Sequence, residues 1–175
     1  MNILRKYIKE ILNESIEFHE LDSPLVYGRS SNVKRLAYCD SSVTEPPSGR
    51  DAYFKEYQEW EYYGRSGRRL QKPRKGQLIP GLSNVCVIGF LDYHHEGKTS
   101  DGKDMWYIDY MKTRREHKEQ GIATRLLEEF ISRYAAEPGS TIHFGKIQNP
   151  GMYSIYEKIK EKYPEHNIMG AKNFA

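Results

Sequence analysis

One segment of this chain, residues 105–131, constrains the fold most, because an aromatic and β-branched stretch runs through a basic loop into an amphipathic helix. The loop passes through Gln120-Gly121-Ile122-Ala123, and the apolar residues after it recur at helical spacing, at Ile122, Leu126, Leu127 and Phe130. Small residues at a helix start let backbone N–H groups approach an anion, with the positive end of the helix behind them. The segment therefore predicts a site for a phosphate-bearing ligand.

The chain as a whole reads as one domain, residues 1–175, which is long enough to bury a core. Its formal charge of +3 is mild and is compatible with an anionic ligand. Cys39 and Cys86 have no spacing typical of a metal site or a disulfide, so we expect unpaired cysteines in a reducing cytoplasm. The longest apolar run, 85–91, is too short to span a bilayer, so no membrane partner is expected.

Residues 1–15 predict an amphipathic leader helix, because apolar residues recur at helical spacing with charged residues between them. We expect this helix to dock against the domain, and the alternative is a helix that binds a partner or serves in targeting. The opening residues also resemble the short leader helices of some tailed-phage proteins, which would place the chain in a host cytoplasm or a virion.

Periodicity assigns the remaining elements. The predicted strands cover 85–93, 105–113 and 141–147, and 33–38 reads as a strand or a short helix. The predicted helices cover 51–63, 121–134 and a segment that starts at Asn149-Pro150. A polar turn is expected over 94–103, and 64–80 forms a long basic loop. The order β-β-α-β-α in the second half predicts a mixed sheet with helices packed on it.

Two motifs in this region resemble one family. Lys118-Glu119-Gln120-Gly121-Ile122-Ala123 is similar to the acetyl-coenzyme A signature of the GNAT acyltransferase superfamily, Gln/Arg-x-x-Gly-x-Gly/Ala, with Lys118 where Arg or Gln is usual. The run from Asn149 to Lys158 resembles the family's Asn-x-x-Ala-x-x-Leu-Tyr-Glu-Lys element, with Asn149 seven positions before Tyr156. The resemblance covers residues 83–163, which would form the acetyl-coenzyme A-binding core. The usual Leu-Gly-Phe turn is missing, and only a short tail, 166–175, remains for the usual final hairpin.

The resemblance implies an α/β (α+β) fold with a GNAT-like mixed, mostly antiparallel sheet, a splayed central strand pair and flanking helices. It implies acetyl-coenzyme A as cosubstrate, no metal, and direct transfer of the acetyl group to a primary amine. Backbone groups of β-strand residues would pair with the pantetheine arm, and the loop would bind the pyrophosphate. The residues implied in cofactor binding are Met111, Thr113, Lys118, Glu119, Gln120, Gly121, Ile122, Ala123 and Asn149.

Tyr156 is the expected general acid, because a phenol is a proton donor at neutral pH and the family places this tyrosine near the cofactor sulfur. The alternative for Tyr156 is a structural tyrosine on the buried face of a helix. The alternative for Asn149 is a helix N-cap. Asp109 is the candidate base, since strand alternation would place it on one face with Met111 and Thr113; a salt-bridged strand aspartate is the alternative.

A cluster of His94, His95 and Glu96 does not predict a metal site, because adjacent strand residues point to opposite faces. We expect these imidazoles in a solvated turn, and His117 only lines the cofactor loop.

Other classes of function remain open. The chain could be a non-catalytic structural or binding module of this fold, including one within a viral particle. The basic loop, 65–75, could also bind nucleic acid, with aromatic residues preceding it, although a solvated loop explains the charges. If the chain is an enzyme, the amine acceptor is a protein lysine or N-terminus, a polyamine or an aminoglycoside-like amine.

Overall fold

The strands among the described residues form one six-stranded sheet whose spatial order follows their order in the sequence. The computed structural model describes residues 16–23, 32–45 and 84–174. The strands are β1 (Ile16–Asp22), β2 (Lys34–Asp40), β3 (Val87–Lys98), β4 (Asp104–Thr113), β5 (Thr141–Ile147) and β6 (Asn167–Lys172).

The sheet is mixed. Strands β1 to β4 pair antiparallel, whereas β4 pairs with β5 and β5 pairs with β6 in parallel. Parallel neighbours need a crossover connection, and two helices supply it: α1 (Ile122–Tyr134) joins β4 to β5, and α2 (Pro150–Lys162) joins β5 to β6. The predicted α/β fold with a mixed, mostly antiparallel sheet is therefore confirmed.

The two helices pack on the same side of the sheet. The buried stripe of α1, at Ile122, Leu126, Leu127, Phe130 and Ile131, joins a cluster with sheet residues and with residues of α2. We call this cluster the helix-side core. A second cluster, the opposite core, consists of Leu21, Ala37, Cys39, Cys86, Val87 and Phe90. Both faces of the sheet centre are thus buried, which places functional groups at the strand ends and at gaps between strands.

Several elements predicted from periodicity are present. The strand predicted at 141–147 has these bounds, the segment at 33–38 is a strand rather than a helix, and the helix predicted from Gly121 begins at Ile122. The short tail provides a single strand, β6, parallel to β5. The predicted leader helix 1–15, the helix 51–63 and the basic loop 64–80 lie outside the described residues. In the part of the chain that is described, no helix is long and apolar enough to cross a membrane.

The polar turn predicted over 94–103 is too long. Strand β3 continues to Lys98, so His94, His95 and Glu96 lie in a strand. His94 is paired with Tyr107, and the ring of His95 lies 4.6 Å from that of Trp106. Contacts with the aromatic residues of β4 thus keep the polar residues of β3 in the sheet. This is an effect of tertiary context, which the polarity of the segment 94–103 does not predict.

The expectation of unpaired cysteines is wrong. Cys39 of β2 and Cys86 form a disulfide with a Cα–Cα distance of 4.8 Å, although 47 positions separate them. Cys86 ends a 3₁₀ turn just before β3, and its neighbour Val87 lies opposite Cys39 in the β2–β3 register. The register of two strands creates this pair, so its sequence spacing carries no signal. The expectation of a reducing cytoplasm rested on unpaired cysteines, and the disulfide removes that argument.

Candidate functional site

The central strands β4 and β5 separate after a short paired stretch. Their register covers only Met105–Tyr107 against Thr141–His143, and the pair Tyr107–His143 is the last. Beyond it β4 continues to Thr113 and β5 to Ile147 without pairing to each other. The predicted splayed pair is therefore present. Because strand edges that lack a neighbour offer N–H and C=O groups to an extended ligand, the gap between these strands is a candidate binding cleft.

Met111 and Thr113 lie in the stretch of β4 that has separated from β5. Their other edge is occupied, since Met111 is paired with Leu91 and Thr113 with Gly89 of β3. Met111 also packs against the helix-side core. These two residues are thus held by β3 while the β5 side of their strand is open, as a cofactor arm would require.

The loop after β4 ends in a left-handed backbone turn. Gly121 is the N-cap of α1 with φ 75°, and Glu119 two positions earlier has φ 65°. Lys118, Glu119, Gln120 and Gly121 are exposed, Ala123 is half-buried and Ile122 is buried. The first N–H groups of a helix have no acceptor within the helix, and a glycine N-cap brings no side-chain oxygen to them. Backbone N–H groups in such a turn form a concave anion site, and the helix dipole adds to it.

Arg114 anchors this loop to the sheet, a role that the sequence did not reveal. Its side chain is buried, and the guanidinium donates hydrogen bonds to the carbonyl oxygens of Val87 at 2.9 Å, Glu45 at 3.0 Å and Val85. Its backbone N–H donates to the Ile88 carbonyl. In a loop rich in Arg and Lys, one buried arginine has the same sequence signature as a solvated one, so only the structure identifies it.

The second motif begins α2 on the far side of the cleft. Asn149 is the N-cap of this helix, and its Oδ1 accepts a hydrogen bond from the Met152 N–H at 2.7 Å. The capping role that was the alternative for Asn149 is therefore confirmed. Its proposed contact with a cofactor arm stays a prediction, and the side chain is on the exposed part of the helix start.

Tyr156 lies on the buried face of α2. Its ring makes edge contacts with Phe144 of β5, with centroids 5.5 Å apart, and lies 5.6 Å from the ring of Tyr153. Only 4% of the residue is exposed. Its hydroxyl makes no hydrogen bond to any described residue, yet it is not among the fully buried polar atoms that lack a partner. The ring of Tyr156 is thus part of the hydrophobic core, which agrees with the alternative role of a tyrosine on the buried face of a helix. Its hydroxyl has no hydrogen-bond partner among the described residues and can still bond to a ligand.

Asp109 does not share a face with Met111 and Thr113, contrary to the alternation expected from the sequence. The β3–β4 register shifts here, because consecutive residues of β3 lie opposite Ile108 and Tyr110 and leave Asp109 as an extra residue. Ile108 and Met111 both pack on the helix-side core, whereas Tyr110 packs on the opposite core. Such a bulge reverses the faces of the residues that follow it.

The carboxylate of Asp109 instead lies beside His94. Its Oδ2 is 2.6 Å from Nδ1 of His94, and the two side chains are 6% and 20% exposed. Burial raises the pKa of Asp109, and the hydrogen bond from His94 opposes that shift. Because Tyr93 belongs to the helix-side core, its neighbour His94 and the attached Asp109 lie on the face away from the helices.

The structure therefore places the predicted site residues on the elements that follow the splayed strands or form them. Met111 and Thr113 lie on β4, the Lys118–Ala123 turn follows β4, Asn149 and Tyr156 belong to the helix that follows β5, and Asp109 lies on the other face of the sheet. His117 ends the 3₁₀ turn before Lys118 and is half-buried. Among the described residues, no group of three or more His, Cys, Asp or Glu side chains is placed to hold a metal ion.

Comparison with known proteins matches the chain to a family model. The family model described as the Acetyltransferase (GNAT) family matches residues 35–159, most of the chain. No curated protein and no solved structure matches the chain significantly. The matched range includes the splayed strands, the Gly121 turn and Tyr156, so the family model and the cleft coincide.

Proposed function

Since the chain belongs to the acetyltransferase (GNAT) family, we propose that it transfers an acetyl group from acetyl-coenzyme A to a primary amine by direct attack. The observation that carries this proposal is the opening of β4 from β5, together with the left-handed turn at the helix start that follows β4. An extended thioester arm fits the first feature and a pyrophosphate fits the second.

In this proposal the cofactor spans the cleft. The N–H groups of Gln120, Gly121, Ile122 and Ala123 bind the pyrophosphate, with Glu119 as the other left-handed residue of the turn. The exposed ammonium of Lys118 adds a charge, as a point charge rather than a planar fork. Backbone groups of Met111 and Thr113 pair with the pantetheine arm, and Asn149 contacts it from the start of α2. A strand amide that hydrogen-bonds the thioester oxygen stabilises the charge that develops there.

The transfer needs a general acid that protonates the leaving thiolate and a general base that takes a proton from the attacking amine. The Tyr156 hydroxyl, which has no partner among the described residues, protonates the leaving thiolate. The half-buried pair of Asp109 and His94 removes a proton from the attacking amine. The two functions lie on opposite sides of the sheet, which matches a reaction in which cofactor and acceptor enter from different faces. Because Cys39 and Cys86 are joined in a disulfide, neither is a free thiol for a covalent acyl intermediate.

Thermal unfolding with and without acetyl-coenzyme A tests the cofactor. A ligand that binds only the folded state at 100 times its Kd stabilises that state by about 2.7 kcal/mol, so a clear rise in Tm is expected. Pantetheine lacks the pyrophosphate and is the matched control, which should raise Tm far less. No rise at millimolar acetyl-coenzyme A would contradict the proposal and favour a structural or binding module of the same fold.

Acetyl transfer is then measured with one amine of each candidate class: a lysine-containing peptide with a blocked N-terminus, a peptide with a free N-terminus, spermidine and kanamycin. Release of coenzyme A thiol above the rate without amine identifies the acceptor class. Mass spectrometry of the amine should show a single added acetyl group, which separates transfer from simple thioester hydrolysis.

A further inference from the structure

Three aromatic side chains form a row across the sheet where the cleft opens. His94 of β3 is paired with Tyr107 of β4, and Tyr107 is paired with His143 of β5. The ring centroids are 5.4 Å and 5.0 Å apart along this row. Because Tyr107–His143 is the last β4–β5 pair, the row marks the apex of the splay. It lies on the face away from the helices, since the neighbours Tyr93 and Ile108 belong to the helix-side core.

His94 is held by one ring nitrogen and open at the other. Nδ1 is 2.6 Å from the Asp109 carboxylate and the ring stacks on Tyr107. Nε2 has no hydrogen-bond partner among the described residues and is not one of the fully buried nitrogens without a partner. A carboxylate that accepts from Nδ1–H fixes the tautomer in which Nε2 carries a lone pair. That nitrogen can therefore accept a proton.

Tyr107 forms the wall of the apex. Its hydroxyl lies against Gly145 of β5, at the point where a side chain on that glycine would collide with it. Burial raises the pKa of Tyr107, and the nearby carboxylates of Asp109 and Glu96 raise it further. The phenol therefore stays neutral, and of the two histidines in the row His94 is the one whose ring is held by a carboxylate, with its other nitrogen open.

We infer that His94 is the catalytic base that takes the proton from the acceptor amine, and that Asp109 is the residue that positions it. This inference rests on the proposed function and replaces Asp109 as the direct proton acceptor. The amine reaches the apex from the face opposite the helices, the face on which Tyr107 and His143 lie.

The proton and electron balance of the step is complete. The amine nitrogen forms a bond to the thioester carbon and loses one proton to Nε2 of His94. The carbon–sulfur bond breaks, its electron pair stays on sulfur, and sulfur takes the proton of Tyr156. Solvent then carries a proton from the imidazolium to the tyrosinate, so both side chains return to their starting state.

The groups that face His94 determine how its role depends on pH. Asp109 and Tyr107 face it from β4, Glu96 lies two positions along its own strand, and His143 of β5 lies beyond Tyr107. The buried Asp92 also acts on Asp109 through its charge. The Asp109 carboxylate is thus the charged group in direct contact with the ring.

The same hairpin contains a matched control pair. Nε2 of His95 lies 2.9 Å from Oδ1 of Asp104, but these side chains are 41% and 29% exposed and lie away from the splay. His95→Gln and Asp104→Asn therefore remove a histidine–aspartate pair of the same kind outside the apex.

The test is the pH dependence of kcat/KM for acetyl transfer to the best amine of the four classes. His94→Gln should lower kcat/KM by about 100-fold or more, the size of a general-base contribution, and abolish the acid limb of the profile. Asp109→Asn should lower kcat and leave the KM for the amine close to wild type, because the imidazole keeps its open nitrogen but loses the carboxylate that positions it. His95→Gln and Asp104→Asn should leave the profile unchanged. An unchanged acid limb in His94→Gln would overturn the inference.

A chemical readout covers the case in which no tested amine is acetylated. Diethyl pyrocarbonate should modify both His94 and His95, and saturating acetyl-coenzyme A should protect His94 but not His95, as mapped by peptide mass spectrometry. Bound acetyl-coenzyme A without protection of His94 would overturn the inference and leave the cofactor proposal intact. Absence of acetyl-coenzyme A binding would defeat the proposed function itself, so the two failures are distinguishable.

Discussion

Gly89 of β3 lies directly beneath Ile122, the first residue of α1. A Cβ built at Gly89 would be 2.6 Å from Cγ2 of Ile122 and 3.2 Å from Cδ1 of Leu126. The helix start can therefore approach the sheet only because residue 89 has no side chain. Gly89 is paired with Thr113 at the end of β4. The contact between Gly89 and Ile122 therefore sets the position of the proposed pyrophosphate site relative to β3 and to the end of β4.

The first prediction follows from this contact. Gly89→Ala should push the start of α1 away from β3, destabilise the fold by about 1–3 kcal/mol as overpacking does, and weaken acetyl-coenzyme A binding. Isothermal titration and thermal unfolding measure the two effects. Adding Ile122→Ala removes the colliding Cγ2, so the double variant should bind better than Gly89→Ala alone. Equal binding by Gly89→Ala and the wild type would contradict the prediction.

Gly121 gives a second prediction, because its limit is backbone conformation rather than space. A Cβ there would meet nothing within 4 Å, but φ is 75°. Gly121→Ala should cost about 1–2 kcal/mol of backbone strain and reduce acetyl-coenzyme A affinity about tenfold. Gly102→Ala is the matched control, since φ is 82° in the β3–β4 turn and its space is equally open. The control should lose similar stability and keep its affinity, and equal affinity loss in both variants would refute a specific role of Gly121.

The third prediction concerns the acid. Tyr156→Phe removes a hydroxyl with no partner among the described residues and keeps the ring that packs on Phe144. Stability and acetyl-coenzyme A affinity should stay close to wild type, whereas kcat should fall by about 100-fold or more. Tyr153→Phe, on the same helix, is the control and should retain turnover. Steady-state kinetics of both variants decides the matter, and a wild-type kcat in Tyr156→Phe would remove this residue from the mechanism.

The disulfide gives a fourth prediction. Closing a loop of 47 positions restricts the unfolded chain by about 4 kcal/mol in the chain-entropy estimate. Dithiothreitol should therefore lower Tm by on the order of 10 °C. The double variant Cys39→Ser, Cys86→Ser should unfold at that lower temperature with or without reductant. Two reactive thiols in the denatured, unreduced protein would show that the bond is absent.

A fifth prediction concerns pH and stability. Burial raises the pKa of Asp109 above its ordinary value of 3.8, so the folded protein binds this proton more tightly than the unfolded chain. The stability due to that proton is present at acid pH and is lost as pH rises from the ordinary value to the folded-state value. Asp109→Asn keeps an acceptor oxygen for His94 but does not titrate. The Tm of the variant minus the Tm of the wild type should therefore increase as pH rises from the ordinary pKa of Asp109 to its folded-state pKa, and should be constant at higher pH. A Tm difference that does not change across this pH range would contradict the raised pKa.

Local patterns in the sequence determined much of this protein. Helical periodicity and the small residues at 121 and 123 place α1, an asparagine before a proline places the start of α2, and alternation places β5 at its observed bounds. These features depend on neighbours within about one or two turns of chain, where side-chain direction follows from backbone geometry. The same local signals carry the family motifs, which is why the turn at Gly121 and the helix start at Asn149 could be predicted.

Only the tertiary structure decided the rest. The bulge at Asp109, the His94 pair, the buried guanidinium of Arg114 and the disulfide between Cys39 and Cys86 all depend on which strands are neighbours and in which register. A one-residue shift in register changes the face of every residue that follows, and nothing within a strand encodes it. The base side of the proposed reaction is therefore a product of long-range pairing, whereas the left-handed turn proposed to bind the pyrophosphate is a product of local sequence.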